Sequence, residues 1–140
     1  MMSTVFGGTI AHMEKHFDAW NVIKKETDKG QRAPIKPGEV YWCKVGLSVG
    51  VEQDGSGSAY IRPVLILKKF SHEIALAVPL TTRGKHGDWY HPLPHFGESS
   101  FAVLNQARPM DTKRLFNTMG EISESELRKV VAAYCKLISS

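Results

Sequence analysis

Long apolar runs are missing from this 140-residue sequence, and none approaches the ~20 residues that a membrane-crossing helix needs. Residues 1–9 also lack the charged start and apolar stretch of a secretory signal, so a cytoplasmic location is expected, with no membrane partner. Cysteine is scarce. Cys43 and Cys135 stand far apart with no Cys-x-x-Cys pair, which argues for two reduced, structural thiols and against a disulfide framework or a zinc site. The histidines offer no metal site either. His86, His91 and His95 are spaced unlike any tight ligand motif, no carboxylate or cysteine completes the set, and Pro92 and Pro94 break the segment. Neither a metal nor a cofactor is therefore expected. Repeats, low-complexity tracts and a second core-sized domain are also lacking, so the chain has enough residues for one modest core plus an appended element.

What is present centres on residues 60–82, where two short aliphatic runs, 64–67 and 74–78, flank the polar turn candidates 69–73. This is the pattern of an antiparallel pair of strands. Arg62 stands at the entry of the first strand and Thr81 and Thr82 at the exit of the second, so the guanidinium and the hydroxyls are expected at one rim of a hairpin. Basic residues outnumber acidic ones, 18 to 14, for a net charge of +4. Many of the cations fall in or beside the central segments: Lys68, Lys69, Arg83, Lys85, Arg108, Lys113 and Arg114. Such a surface accepts a polyanion without proving one.

Around the hairpin, residues 9–29 read as an amphipathic helix with Ile10, Met13, Phe17 and Trp20 on one stripe, Thr9 as cap and Gly30 as terminator. It is either a helix packed on the domain surface or an arm for a partner. Pro34 and Pro37 mark a stiff linker, dividing an extension at 1–36 from a domain at 37–140. Residues 38–46 read as the first strand, with Val40, Trp42 and Lys44 on one side and Tyr41, Cys43 and Val45 on the other. The Gly- and Ser-bearing loop 47–59, which carries Glu52, Gln53 and Asp54, is long enough for a gate as well as for a simple flexible connection. Later strands are expected at 89–93, at 100–106 with Phe101, Val103 and Asn105 on one face, and at 115–122, with a helical turn at 112–114. The final helix begins with a Ser123–Glu126 capping box and carries a stripe of Leu127, Val130, Val131, Tyr134, Leu137 and Ile138. Short strands closed by one helix predict a strongly bent antiparallel sheet or a partly closed barrel.

Three stretches, in order, resemble the MazF/PemK family of toxins from type II toxin-antitoxin systems. They are Pro-Gly-Glu-Val-Tyr-Trp at 37–42; Val-Gly-Val-Glu-Gln at 49–53 with Arg-Pro-Val-Leu-Ile-Leu at 62–67 and Val-Pro-Leu-Thr-Thr at 78–82; and Leu-Asn-Gln-Ala-Arg-Pro-Met-Asp at 104–111. The likeness spans residues 37–138. It implies a mainly β fold with flanking helices (α+β), a small SH3-like barrel of the CcdB/PemK type carrying an N-terminal helical extension and a C-terminal helix. It also implies a homodimer, a cognate antitoxin as partner, and a metal-independent endoribonuclease that cuts single-stranded mRNA. By this resemblance Arg62 and Thr81 are the catalytic pair. The basic, glycine-bearing loop around Arg83 and Lys85 suits phosphate contacts, and Thr82, Arg83, Lys85, Gln106 and Arg108 are expected to bind RNA.

Those residue types suit the chemistry. Attack by the RNA's own 2′-hydroxyl on the adjacent phosphorus needs no protein nucleophile; it needs a proton acceptor, a proton donor and charge stabilisation at the phosphoryl oxygens. A guanidinium can grip two phosphate oxygens, and a pKa above ~12 makes it a poor base. Thr81 can orient the phosphate or, in the simpler reading, cap its own backbone. The sequence departs from one branch of the family, in which an Arg-x-Asp pair precedes the glutamine matching Gln106 and the aspartate is offered as base; Val103 and Asn105 stand there instead. Asn105 cannot accept a proton, which leaves Glu52 and His86 as candidate bases. Two other readings use the same fold: a binding toxin like CcdB, which poisons DNA gyrase, and an RNA-binding module without catalysis.

Overall fold

The two aliphatic runs form the central strands, β2 (Ile61–Lys69) and β3 (Ile74–Thr81), paired antiparallel with Val64 opposite Pro79 and Ile66 opposite Ala77. Val64 through Leu67 are all buried, so β2 is covered on both faces and reads as an unbroken apolar run rather than an alternating one. The computed structural model describes residues 14–57, 59–84, 87–96 and 100–140. In it β1 (Glu39–Lys44) pairs with β2 and with β7 (Leu115–Glu121), and the sheet runs β4-β5-β3-β2-β1-β7, with β4 at Tyr90–Pro92, β5 at Phe101–Val103 and β6 at Arg108–Asp111. All pairings are antiparallel.

One core lies on the face of Tyr41, Cys43, Val64 and Ile66, against Met110 and Leu115. The other lies on the face of Val40, Leu65, Leu67 and Val78, against Leu104 and Val130. The fully buried aliphatic side chains each contribute about 1.5–3 kcal/mol relative to exposure. The helix α2 (Glu124–Ser139) closes the second core; Ser123 Oγ accepts the Glu126 N–H at 3.1 Å, as the capping pattern requires. Ile138, expected on the buried stripe, is 65% exposed, whereas Leu137 beside it packs against the core.

Strand β3 changes neighbours along its length. Its first half pairs with β6, ending at Ala77 opposite Arg108, and its last residues pair with β5, beginning at Leu80 opposite Ala102. Pro79 falls in the gap, where a residue without an N–H costs no ladder bond. Between β5 and β6 the chain makes a 3₁₀ turn at Leu104–Gln106, with the Ala107 N–H on Leu104 O at 3.2 Å. This corrects the strand expected over 100–106: Asn105 and Gln106 leave the sheet because the edge of β3 is partnerless there. A second 3₁₀ turn at Thr112–Arg114 is held by Asp111, whose carboxylate accepts the Lys113 N–H at 2.8 Å.

The first helix, α1 (Phe17–Asp28), starts later than the apolar spacing predicts: residues 14–16 are irregular, and Thr9, Ile10 and Met13 lie outside the described residues. Of its side chains Trp20 and Thr27 are buried, whereas Phe17 is exposed. The linker lies along the sheet, with Arg32 on Asp111 and Tyr41 OH donating to Pro34 O at 2.9 Å. Among the described residues no helix is long and apolar enough to cross a membrane.

Candidate active site

The register of β2 and β3, carried two residues beyond the Val64–Pro79 pair, sets Arg62 across from Thr81. Both line a cavity of about 310 Å³ with Trp42, Thr82, Ser100 and Met119, and none of its described lining residues is a carboxylate. Arg62 is half-buried. Its Nε donates to Asp54 O at 2.8 Å and its Nη1 to Leu80 O at 3.1 Å. With the Gln53 carboxamide oxygen turned to the guanidinium, that oxygen lies 3.1, 3.0 and 3.0 Å from Nε, Nη1 and Nη2. Burial pulls the Arg62 pKa down, Asp54 pulls it back up and Arg83 lowers it again; an arginine stays charged throughout. Thr81 Oγ1 accepts the Arg83 N–H at 3.1 Å, so the backbone cap expected of a strand-end threonine is present, while the hydroxyl keeps its own proton to donate. Thr82 and Arg83 are exposed at the mouth.

A second cavity, of about 200 Å³, opens where β3 loses its neighbour; Glu52, Gln53, Pro79, Asn105, Gln106 and Arg108 line it. Gln106 Oε1 accepts the Gln53 N–H at 3.2 Å, and Glu52 Oε1 accepts the Val49 N–H at 2.9 Å. Arg108 also faces a half-buried neighbour, Arg114, whose Nη1 donates to Lys44 O at 3.0 Å and whose pKa is lowered by burial and then by Arg108. The site residues read from sequence therefore fall into two groups. Arg62, Thr81 and Thr82 share one cavity, with Arg83 beside them; Glu52, Gln106 and Arg108 share the other; and Gln53 spans the wall between. Glu52, spent on its own loop turn, is not beside the Arg62–Thr81 pair. Lys85 and His86 lie outside the described residues. Larger cavities, of about 330 Å³ between α1 and the 112–114 turn and about 450 Å³ beside the end of α2, hold no arginine opposite a hydroxyl on neighbouring strands.

Sequence reasoning assigned no role to Gln53, to the Asp54 carbonyl or to Trp42 at this site. The Glu-Gln-Asp cluster close to Arg62 in sequence was the available signal for the first two. For Trp42 it was the β1 alternation, which turns that ring away from the Cys43 core.

The fold and the site together define a small antiparallel β domain with an acid-free, cationic and hydroxyl-bearing cleft at the ends of its two central strands. The chain belongs to the PemK-like, MazF-like toxins of type II toxin-antitoxin systems, whose family model matches residues 36–138. Solved structures share its fold. MazF (Form-I) from Deinococcus radiodurans is 23% identical with a TM-score of 0.59, covering 76% of this chain and 97% of its own. The Mycobacterium tuberculosis toxin MazF-mt6 is 14% identical with a TM-score of 0.56, covering 72% and 96%. An endoribonuclease in complex with its cognate antitoxin from a mycobacterial species is 20% identical with a TM-score of 0.53, covering 76% and 96%. No curated protein matches the chain.

Proposed function

We propose that this chain is the toxin of a toxin-antitoxin pair and that it cleaves single-stranded RNA, without a metal, at the rim shared by Arg62 and Thr81. The observation that carries this reading is the acid-free cavity in which a guanidinium and a threonine hydroxyl stand on neighbouring strands. The 2′-oxygen loses its proton and attacks phosphorus, the P–O5′ bond breaks, the departing 5′-oxygen takes a proton from solvent, and the products are a 2′,3′-cyclic phosphate and a 5′-hydroxyl. Arg62 stabilises the charge on the non-bridging oxygens and Thr81 orients them; a preorganised donor at such a position is typically worth 10²–10³ in rate. Trp42 offers a ring against which a base can stack. Thr82, Arg83, Lys85, Gln106 and Arg108 take the flanking phosphates and sugar edges. Of the two candidate bases, His86 is the side chain proposed for proton removal from the 2′-hydroxyl, because the Glu52 carboxylate holds the Val49 amide and lines the neighbouring cavity.

The partners in this reading are a cognate antitoxin and a second copy of the chain, and residues 1–36 are an extension to a catalytic domain at 37–140. Solved MazE-MazF and endoribonuclease-antitoxin complexes among the structural neighbours support the antitoxin. The test is incubation of purified protein with single-stranded RNA in EDTA. Cleavage leaving a cyclic phosphate is expected, with a loss of about 100-fold or more in Arg62→Ala. Cutting at a site with a 2′-deoxyribose, or an Arg62→Ala variant as fast as wild type, overturns the mechanism. Growth arrest with intact RNA and trapped gyrase would favour the binding toxin instead.

A further inference from the structure

Loop 47–59 is tied to Arg62 at one end of a chain of contacts and to the segment ahead of α1 at the other. Its two ends are joined by the Gly46 N–H on Tyr60 O at 3.0 Å. Trp20 of α1 covers that junction: its ring lies so close over Gly46 that a Cβ there would sit 2.0 Å from it, and it meets the Tyr60 ring edge-on with centroids 5.9 Å apart. Lys15, two residues before the helix, then reaches into the loop itself. Its Nζ donates to Ser48 O at 2.5 Å and Gly50 O at 3.1 Å, and lies 2.9 Å from Asp54 Oδ2. The same Asp54 carboxylate accepts the Ser48 N–H at 2.7 Å, while the Asp54 carbonyl holds Arg62 Nε.

We propose that Lys15 latches residues 48–54 in a position that occupies Arg62, so that the segment outside the sheet domain holds the phosphate site closed. This rests on the reading of Arg62 as the phosphate-binding group. In the latched arrangement Nε is taken by Asp54 O, Nη1 by Leu80 O, and the Gln53 oxygen lies against the fork of the guanidinium. A phosphate can replace Asp54 O and Gln53 only when the loop withdraws, and withdrawal breaks the Lys15 contacts. Closure therefore lowers apparent affinity by the fraction of molecules with the loop open. Lys15 is a positioning residue: it acts on Arg62 through Asp54.

The test compares the full-length wild type with Lys15→Ala and Lys15→Arg. Amide hydrogen exchange across residues 48–54 should quicken about fivefold in Lys15→Ala, the scale of one part-exposed ion pair, and stay at the wild-type rate in Lys15→Arg. The Kd for a non-cleavable 2′-O-methyl oligoribonucleotide should fall about fivefold in Lys15→Ala, and the KM for RNA should fall with it at unchanged kcat. A mere loss of structure would instead lower kcat and leave Lys15→Arg impaired. Unchanged exchange in Lys15→Ala overturns the latch. Faster exchange with weaker oligonucleotide binding overturns the occlusion, since the loop would then be holding substrate. If the wild type binds the oligonucleotide well but cuts no RNA, the nuclease reading fails, while exchange and Kd still decide the latch.

Discussion

Alanine at position 46 should separate α1 from the sheet domain while leaving the domain folded. The backbone there has φ +80°, and the added Cβ would lie 2.0, 2.1 and 2.6 Å from Cε2, Cζ2 and Cδ2 of Trp20. The left-handed conformation costs an L-residue about 1–2 kcal/mol. The clash costs more. Trp20 is 6% exposed, and an indole that buries roughly 200 Å² at about 25 cal/mol per Å² is worth roughly 5 kcal/mol as an upper bound. Since Trp20 and Thr27 are the only buried side chains of α1, the helix has little else to hold it once the ring is displaced. The three tryptophans make the assay direct, because Trp20 is buried, Trp42 half-buried and Trp89 39% exposed. Gly46→Ala should shift the emission to longer wavelength and remove amide protection from Phe17–Asp28, with β2 and β3 still protected. In a double-mutant cycle with Trp20→Ala, the alanine at 46 should cost only its backbone share of about 1–2 kcal/mol. Wild-type emission with α1 still protected in Gly46→Ala would refute the reasoning, as would strict additivity in the cycle.

Two further outcomes follow from titrating groups. Burial, and then the nearby charge of Lys129, lower the pKa of His91 below its ordinary value, so the unfolded chain binds the extra proton first. Stability is full above about pH 6.5 and falls as the pH drops below it; His91→Gln should flatten the denaturation midpoint between about pH 7.5 and about pH 5.5, and an unchanged slope would count against the burial argument. Cys43 has no exposed surface, and burial pushes its thiol up to about 12, whereas Cys135 is exposed. One thiol should react with a disulfide reagent in the native protein and the second only on unfolding; two fast equivalents would contradict the packing.

Much of the fold was legible from local pattern. The α2 stripe and its Ser123 cap, the two aliphatic runs and the alternation of Tyr41 and Cys43 all report burial that is decided within a few residues of sequence. The turn at Leu104–Gln106 was not, because it depends on β3 exchanging β6 for β5, an event on a different strand that Pro79 records only once the pairing is known. The same division holds at the site. Arg62 and Thr81 were placed together by hairpin logic alone, and they share a cavity. Lys15 and Asp54 are 39 residues apart, and no periodicity links them. Glu52 lies in the loop just ahead of Arg62 in sequence, but its carboxylate turns back to the Val49 amide, a choice set by the local loop turn.

The two outermost strands limit how the molecule can meet its own kind. β4 is three residues long and ends in Pro92, so it offers few free amide donors to an incoming strand. At the opposite margin β7 is irregular, with Asn117 at φ 46° and Gly120 at φ 138°, and its register against β1 slips around Tyr41. Neither border is a flat template for runaway sheet growth. Copies of this chain that meet at these two margins must therefore do so through side-chain surfaces, which sets such contacts apart from the strand-on-strand growth of a fibril.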